Sequence, residues 1–212
     1  VVHGKRSLID KMPGTYEEKF AGVRSFLGYM YAHPGKKLLF MGQEFGQFIE
    51  WNYQKELDWL LLDYEKHRQL KAYTAALNAF YRATPALWEV DYSWEGFHWI
   101  SADDADNSVI AFERLDARGR GIIAVFNLTR VPRPDYRIGV PKSGQYEKVF
   151  DSDAVEYGGA GTAAGRVFES GRVPMHGLPH SIALELAGHS AVYLRRKPRE
   201  KKTEDYITGR FG

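Results

Sequence analysis

Carboxylates, amides and aromatic rings crowd into one short run, Glu44–Asn52, which reads E-F-G-Q-F-I-E-W-N. Carboxylates and amides hydrogen-bond to hydroxyls, and flat apolar rings cover the C–H faces of pyranoses, so the mixture suits carbohydrate. Glu44, Gln47, Glu50, Trp51 and Asn52 are the candidate binding residues. Two carboxylates in one loop also invite comparison with the acid–base pair of glycosidic chemistry. Their spacing does not show that they face one substrate, and each has an ordinary structural reading in a loop built around one buried tryptophan.

Other arrangements lose their chemistry on inspection. Gly159-Ala-Gly161-Thr-Ala-Ala164 matches G-x-G-x-x-A, but Arg166-Val-Phe-Glu-Ser-Gly follows where a dinucleotide site needs a helix; it reads as a loop. Asp103-Asp104-Ala-Asp106-Asn107 resembles a calcium loop. Counted from Asp104, the sixth position is Val109 and the twelfth Leu115, so the EF-hand pattern fails and a hairpin turn is expected. His176 and His180 have Gly177 and Pro179 between them, which breaks any two-histidine face on a helix. No metal or cofactor is expected.

The elements that would position the loop are legible. Pro13-Gly14 is a turn, Thr15 with Glu18 forms a capping-box pattern, and Phe20, Val23, Leu27 and Met30 recur at helical spacing to about Tyr31. Leu38–Met41 is a wholly apolar run closed by Gly42, as expected of a parallel strand covered on both faces. Leu70, Tyr73, Leu77 and Phe80 mark a second helix from Tyr64 to about Arg82, and Val1–Met12 reads as a loop. From Gly96 the pattern shortens to Phe97–Ile100, Ser108–Arg114, Gly121–Leu128, Tyr136–Val140, Tyr146–Phe150, Ser181–Leu186 and Ser190–Arg195. Alternating or β-branched runs between turn residues predict an antiparallel sandwich. The expected units are residues 1–95, 96–196 and a charged, disordered tail, 197–212.

The chain has 212 residues, 44% of them hydrophobic, and a net charge of +2. That balance gives no reason to expect nucleic acid or an anionic membrane as partner. No apolar run reaches the roughly 20 residues of a bilayer span. Cysteine is absent and no secretory signal is seen, which fits a cytoplasmic protein. No methionine precedes Met12, so the sequence reads as part of a longer chain.

Several runs resemble the bacterial 1,4-alpha-glucan (glycogen) branching enzymes of the alpha-amylase superfamily. They are V-V-H-G-K from Val1, K-M-P-G from Lys11, H-P-G-K-K-L-L-F-M-G from His33, E-F-G-Q from Glu44, E-W-N from Glu50 and L-D-W from Leu57. D-Y-R-I-G-V-P from Asp135 and H-S-I-A-L-E-L from His180 continue the resemblance, in order, over about residues 1–195. It implies a fold of α/β plus all-β class: the C-terminal remnant of a (β/α)8 barrel, then an antiparallel β-sandwich. Leu38–Met41 resembles the eighth barrel strand, which places Glu44–Asn52 on the C-terminal face where such barrels keep active sites. The implied reaction is retaining: one carboxylate attacks an alpha-1,4 linkage, another serves as acid and base, and a 6-hydroxyl accepts the chain. In the family pattern a third acid, in a His-Asp-Glu run, comes immediately before V-V-H-G-K. The nucleophile, the acid–base and this acid therefore all fall upstream of Val1, and none is assigned here. His3 and Lys5 would stand just behind the third acid, as its supports or as loop anchors. Tyr53-Gln54, Leu60 and Pro134 depart from the family pattern. The implied partners are alpha-glucan chains and the missing N-terminal part of the barrel. A related superfamily hydrolase or transferase, or a glucan-binding or structural module, is the competing reading. The sandwich is expected to be the self-sufficient unit, surviving proteolysis as about residues 90–196.

Overall fold

The computed structural model describes residues 4–162 and 165–198. Ser7 caps a short helix, α1 (Leu8–Lys11), where a loop was expected: its hydroxyl accepts from Asp10 N. The long helix α2 (Tyr16–Ala32) begins at the predicted capping box, with Thr15 Oγ1 accepting from Glu18 N and Glu18 Oε2 accepting from Thr15 N. Helix α3 (Glu65–Ala83) packs against it. Ile9, Phe20, Val23, Leu27, Leu70, Tyr73 and Leu77 form the core of this helical layer.

Leu38–Phe40 has no regular secondary structure and Met41 already lies in the turn that follows (φ 20), so the run forms no ladder, contrary to the expected strand. The reason is physical: a strand exists only through a neighbour, and none of the described residues pairs with this run. Leu38 is 68% exposed and Met41 51%. Phe40 N bonds to the Gln43 side chain instead.

The second half is the predicted antiparallel sheet structure. Strands β1 (Phe97–Asp104), β2 (Val109–Leu115), β3 (Gly121–Asn127), β4 (Arg133–Val140), β5 (Gln145–Asp151), β6 (Val167–Glu169), β7 (His180–Leu186) and β8 (Ser190–Arg196) follow in sequence. Six form a sheet in the order β1-β2-β3-β8-β5-β6, and β4-β7 form a second, smaller one. The β1–β2 connection is the predicted hairpin, with Asn107 N donating to Asp104 Oδ1. His176 lies just before β7, where its Nδ1 accepts from Gly139 N. Gly159 to Thr162 is loop, as expected, and wraps Asp153, which accepts from Ala160 N, Thr162 N and Thr162 Oγ1. Residues 163–164 and the tail 199–212 lie outside the described residues.

Strand alternation sends β3 in two directions. Ile123 and Val125 meet Ile138, Val140, Ile182 and Leu184 of the small sheet. Ile122, Ala124 and Phe126, with Phe112, Ala191 and Tyr193, face Ala32 of α2 and the turn Pro85–Leu87. The structure is thus three layers: helices, six-stranded sheet, two-stranded sheet. The approach of α2 to β8 requires Gly28, where an added Cβ would sit 2.5 Å from the Ala191 Cβ. Tyr193 Oη donates to Gly28 O across the same contact.

Candidate functional site

The loop after Leu38–Met41 is built around two left-handed glycines, Gly42 (φ 82) and Gly46 (φ 74), which bracket a single 3-10 turn, Gln43–Phe45. Gly42 O accepts from Gln47 N at 3.0 Å. Phe45 is fully buried, its carbonyl lies 2.7 Å from His67 Nδ1, and Thr74 Oγ1 donates to Glu44 O at 3.2 Å. Helix α3 thus fixes the turn from below, and the Glu44 side chain stands partly exposed above it.

The candidates divide into those that hold the loop and those that it presents. Gln47 is 4% exposed; its Oε1 accepts from Asp58 N at 2.8 Å and its Nε2 donates to Ile49 O at 3.2 Å. It ties one end of the loop to the other and leaves no amide for a ligand. Asn52 Oδ1 accepts from Gln54 N at 3.0 Å, an Asx turn. Trp51 is half-buried, its ring edge-on to Phe40 at 5.2 Å.

Glu50 has the longest reach in sequence. Its Oε2 accepts from Gly4 N at 2.8 Å and its Oε1 from Lys5 N at 3.4 Å. Ser7 Oγ reinforces this tie by donating to Phe48 O at 2.8 Å. The loop and the residue 4–7 segment are therefore one assembly, with the Lys5 side chain exposed on it. His3 lies outside the described residues. The structure brings Glu50 to Lys5 and Gln47 to Asp58, and no hydrogen bond among the described residues joins Glu44 to Glu50.

The segment entering the loop carries Lys37, whose ammonium burial pushes down to about 8, against the opposing pull of Asp91. It lies 5.4 Å from the Tyr81 ring centroid. Ser7, His67 and Thr74 were missed in the sequence. Only His67 left a signal, as a lone histidine at helical spacing before Leu70. Among the described residues no group of three His, Cys, Asp or Glu is placed to hold a metal ion. No described helix is long and apolar enough to cross a membrane.

The sheet layers match a known class: residues 99–197 fit the family model described as the alpha amylase C-terminal all-beta domain. Solved amylase-type structures share the fold. A maltotriose complex of an AmyP variant superposes with TM-score 0.60 at 18% identity, over 88% of this chain and 37% of that one. A product complex of the glycogen-degrading pneumococcal factor SpuA gives 0.66 at 14%, over 94% and 26%.

Along nearly its whole length the sequence is similar to the C-terminal region of 1,4-alpha-glucan branching enzymes. It is 48% identical to the 1,4-alpha-glucan branching enzyme GlgB of Halothermothrix orenii over 92% of this chain and 31% of that protein. Against GlgB of Aquifex aeolicus the identity is 50%, over 93% of this chain and 31% of that one. The chain thus spans under a third of the length of these relatives.

Proposed function

We propose that the chain serves as the C-terminal part of a cytoplasmic 1,4-alpha-glucan branching enzyme, which cleaves alpha-1,4 linkages and transfers the chain to a 6-hydroxyl in glycogen biosynthesis. On this reading residues 1–95 close the barrel, with Leu38–Met41 as its last strand, and residues 96–196 form the appended domain. The observation that carries it is the grip of Glu50 on the Gly4 and Lys5 backbone. In the family pattern those residues stand a short way behind the third catalytic acid. Glu50 would hold that acid's strand end against the Glu44–Asn52 loop, and positioning to within about an ångström decides catalysis. Glu44 and Trp51 remain to meet glucan, while Gln47 and Asn52 shape the loop. The retaining chemistry itself belongs to carboxylates upstream of Val1, so the 212 residues by themselves should not branch.

The test is amylose–iodine colour together with new alpha-1,6 linkages by NMR. The 212-residue chain should give neither, and a polypeptide extended upstream through the three acids should give both. Turnover by the 212-residue chain above a heat-killed control would refute the assignment.

One feature favours the second reading, a glucan-binding module. Tyr92 and Trp94, where the sheet region begins, are 80% and 85% exposed. Retention of the chain on insoluble amylopectin, lost in Trp94→Ala, would support it; retention equal to that of an unrelated protein would not.

A further inference from the structure

We propose that the cleft between α2, α3 and the 153–160 loop is a binding site for a small phosphate ester, of the class of a monosaccharide phosphate. The cleft holds about 310 Å3, near the small end of natural ligand sites. Arg24 lines it although only 4% of the residue is exposed. Its Nε donates to Ser152 O at 2.8 Å; no further side-chain hydrogen bond of Arg24 is found among the described residues, and its Nη1 and Nη2 are not sealed from solvent. Asp153 and Asp151 act on it through space, yet no ion pair forms among the described residues. The guanidinium is therefore balanced only through space by these carboxylates, and its Nη groups can make charge-assisted hydrogen bonds to an anion that enters the cleft.

Two further cations border the same space. Lys66 reaches in from α3, using one N–H on Gly158 O at 3.0 Å, and Arg130 stands exposed at the rim. The carboxylates beside them are largely engaged: Glu18 in the α2 cap, Asp153 in its own loop. Glu17 is left exposed at the rim, with no hydrogen bond of its own among the described residues, as an acceptor for a sugar hydroxyl. Three cationic side chains, set against three carboxylates in the same lining, can donate to an anion, and the planar fork of arginine matches phosphate oxygens. The space also exceeds what a bare phosphate would fill, which argues for an ester.

The test is calorimetric titration of the 212-residue chain with glucose 6-phosphate, inorganic phosphate and glucose at one ionic strength. Glucose 6-phosphate should saturate, inorganic phosphate should bind more weakly and glucose should not bind. Arg130→Ser and Arg24→Lys should each weaken the ester by about tenfold, the loss of one charge-assisted contact. Arg130 is exposed, so its variant keeps the fold, and circular dichroism checks Arg24→Lys. Absence of saturable ester binding, or affinities unchanged in both variants, overturns the site. Equal affinity for phosphate and ester overturns the sugar-phosphate assignment. Neither result bears on the branching reading, since the cleft includes no residue of Glu44–Asn52.

Discussion

Arg114→Met should destabilise the whole chain. Arg114 is fully buried on β2, and three groups depend on it. Its Nη1 donates to Ala32 O at 2.6 Å, at the end of α2; its Nε donates to Gly96 O at 3.1 Å. Its Nη2 pairs with Asp91 Oδ1 at 2.7 Å, with both side chains out of water. Asp91 Oδ2 has no hydrogen-bond partner among the described residues, so the carboxylate relies on this one guanidinium and on the nearby Lys37 charge. Removing one member of a buried pair costs about 3–5 kcal/mol, because the other charge stays buried and uncompensated. That is a large share of the 5–15 kcal/mol by which domains are stable. For a chain of this size each kcal/mol moves Tm by roughly 2–4 °C, so a fall of about 6–20 °C is expected. Urea unfolding followed by circular dichroism gives the free energy directly. Asp91→Asn, alone and combined with Arg114→Met, completes the cycle; the double change should cost well under the sum of the two. A Tm within about 2 °C of the parent for Arg114→Met, or strict additivity in the cycle, would show that the pair is not what binds helix to sheet.

Gly46→Ala should destabilise by about 1–3 kcal/mol in the same assay, since φ is +74 and the new Cβ would lie 3.0 Å from Leu70 Cδ2 and 3.1 Å from Ile9 Cδ1. Glu113→Gln should stabilise the chain near neutral pH. Burial raises the Glu113 carboxyl despite the opposing charge of His98, so the folded state binds the proton more tightly than the unfolded state. Stability is then lost as pH rises through the carboxylate range, and the advantage of the glutamine should be largest at about pH 7 and vanish at about pH 4 in a Tm–pH series. Trp51→Ala, in a polypeptide carrying the three acids, should weaken productive glucan binding while costing less than about 3 kcal/mol of stability, because the ring is only half-buried. A larger stability loss with unchanged activity per folded molecule would make Trp51 a packing partner of Phe40.

Local signals carried the sequence reading wherever the partners were local. Thr15 and Glu18 cap one another three residues apart, and the apolar, β-branched run of Gly121–Leu128 forms a strand buried on both faces. Strand β6 went unread because its three residues have no periodicity to show and, among the described residues, only β5 pairs with it. Leu38–Met41 carries the composition of a strand, but pairing depends on a neighbour that the run cannot supply. In the loop, residue types pointed to Gln47 and Glu50, and their roles were hidden. Both act through backbone N–H groups of Asp58, Gly4 and Lys5, and a backbone donor leaves no trace in the sequence.

The two faces of the six-stranded sheet bear on how much of the chain folds as a unit. A sandwich that owed its stability to β4-β7 alone would survive without the helices, as the composition suggests. Here the opposite face carries Phe112, Ala124, Phe126 and Tyr193, all fully buried against Ala32 and the Pro85–Leu87 turn. Each such ring left in water forfeits about 1.5–3 kcal/mol. Cutting the chain at residue 96 would also remove the acceptor for Tyr193 Oη and two of the partners of Arg114. Together these losses approach the entire stability of an ordinary domain. Residues 96–198 expressed alone should therefore fail to unfold cooperatively, should bind a hydrophobic dye and should exchange strand amides quickly, whereas residues 4–198 should do none of these. Proteolysis of the full chain should then yield no resistant piece beginning near residue 90. Recovery of such a piece, with the melting temperature of the parent, would mean that the helices rest on the sheet without supporting it.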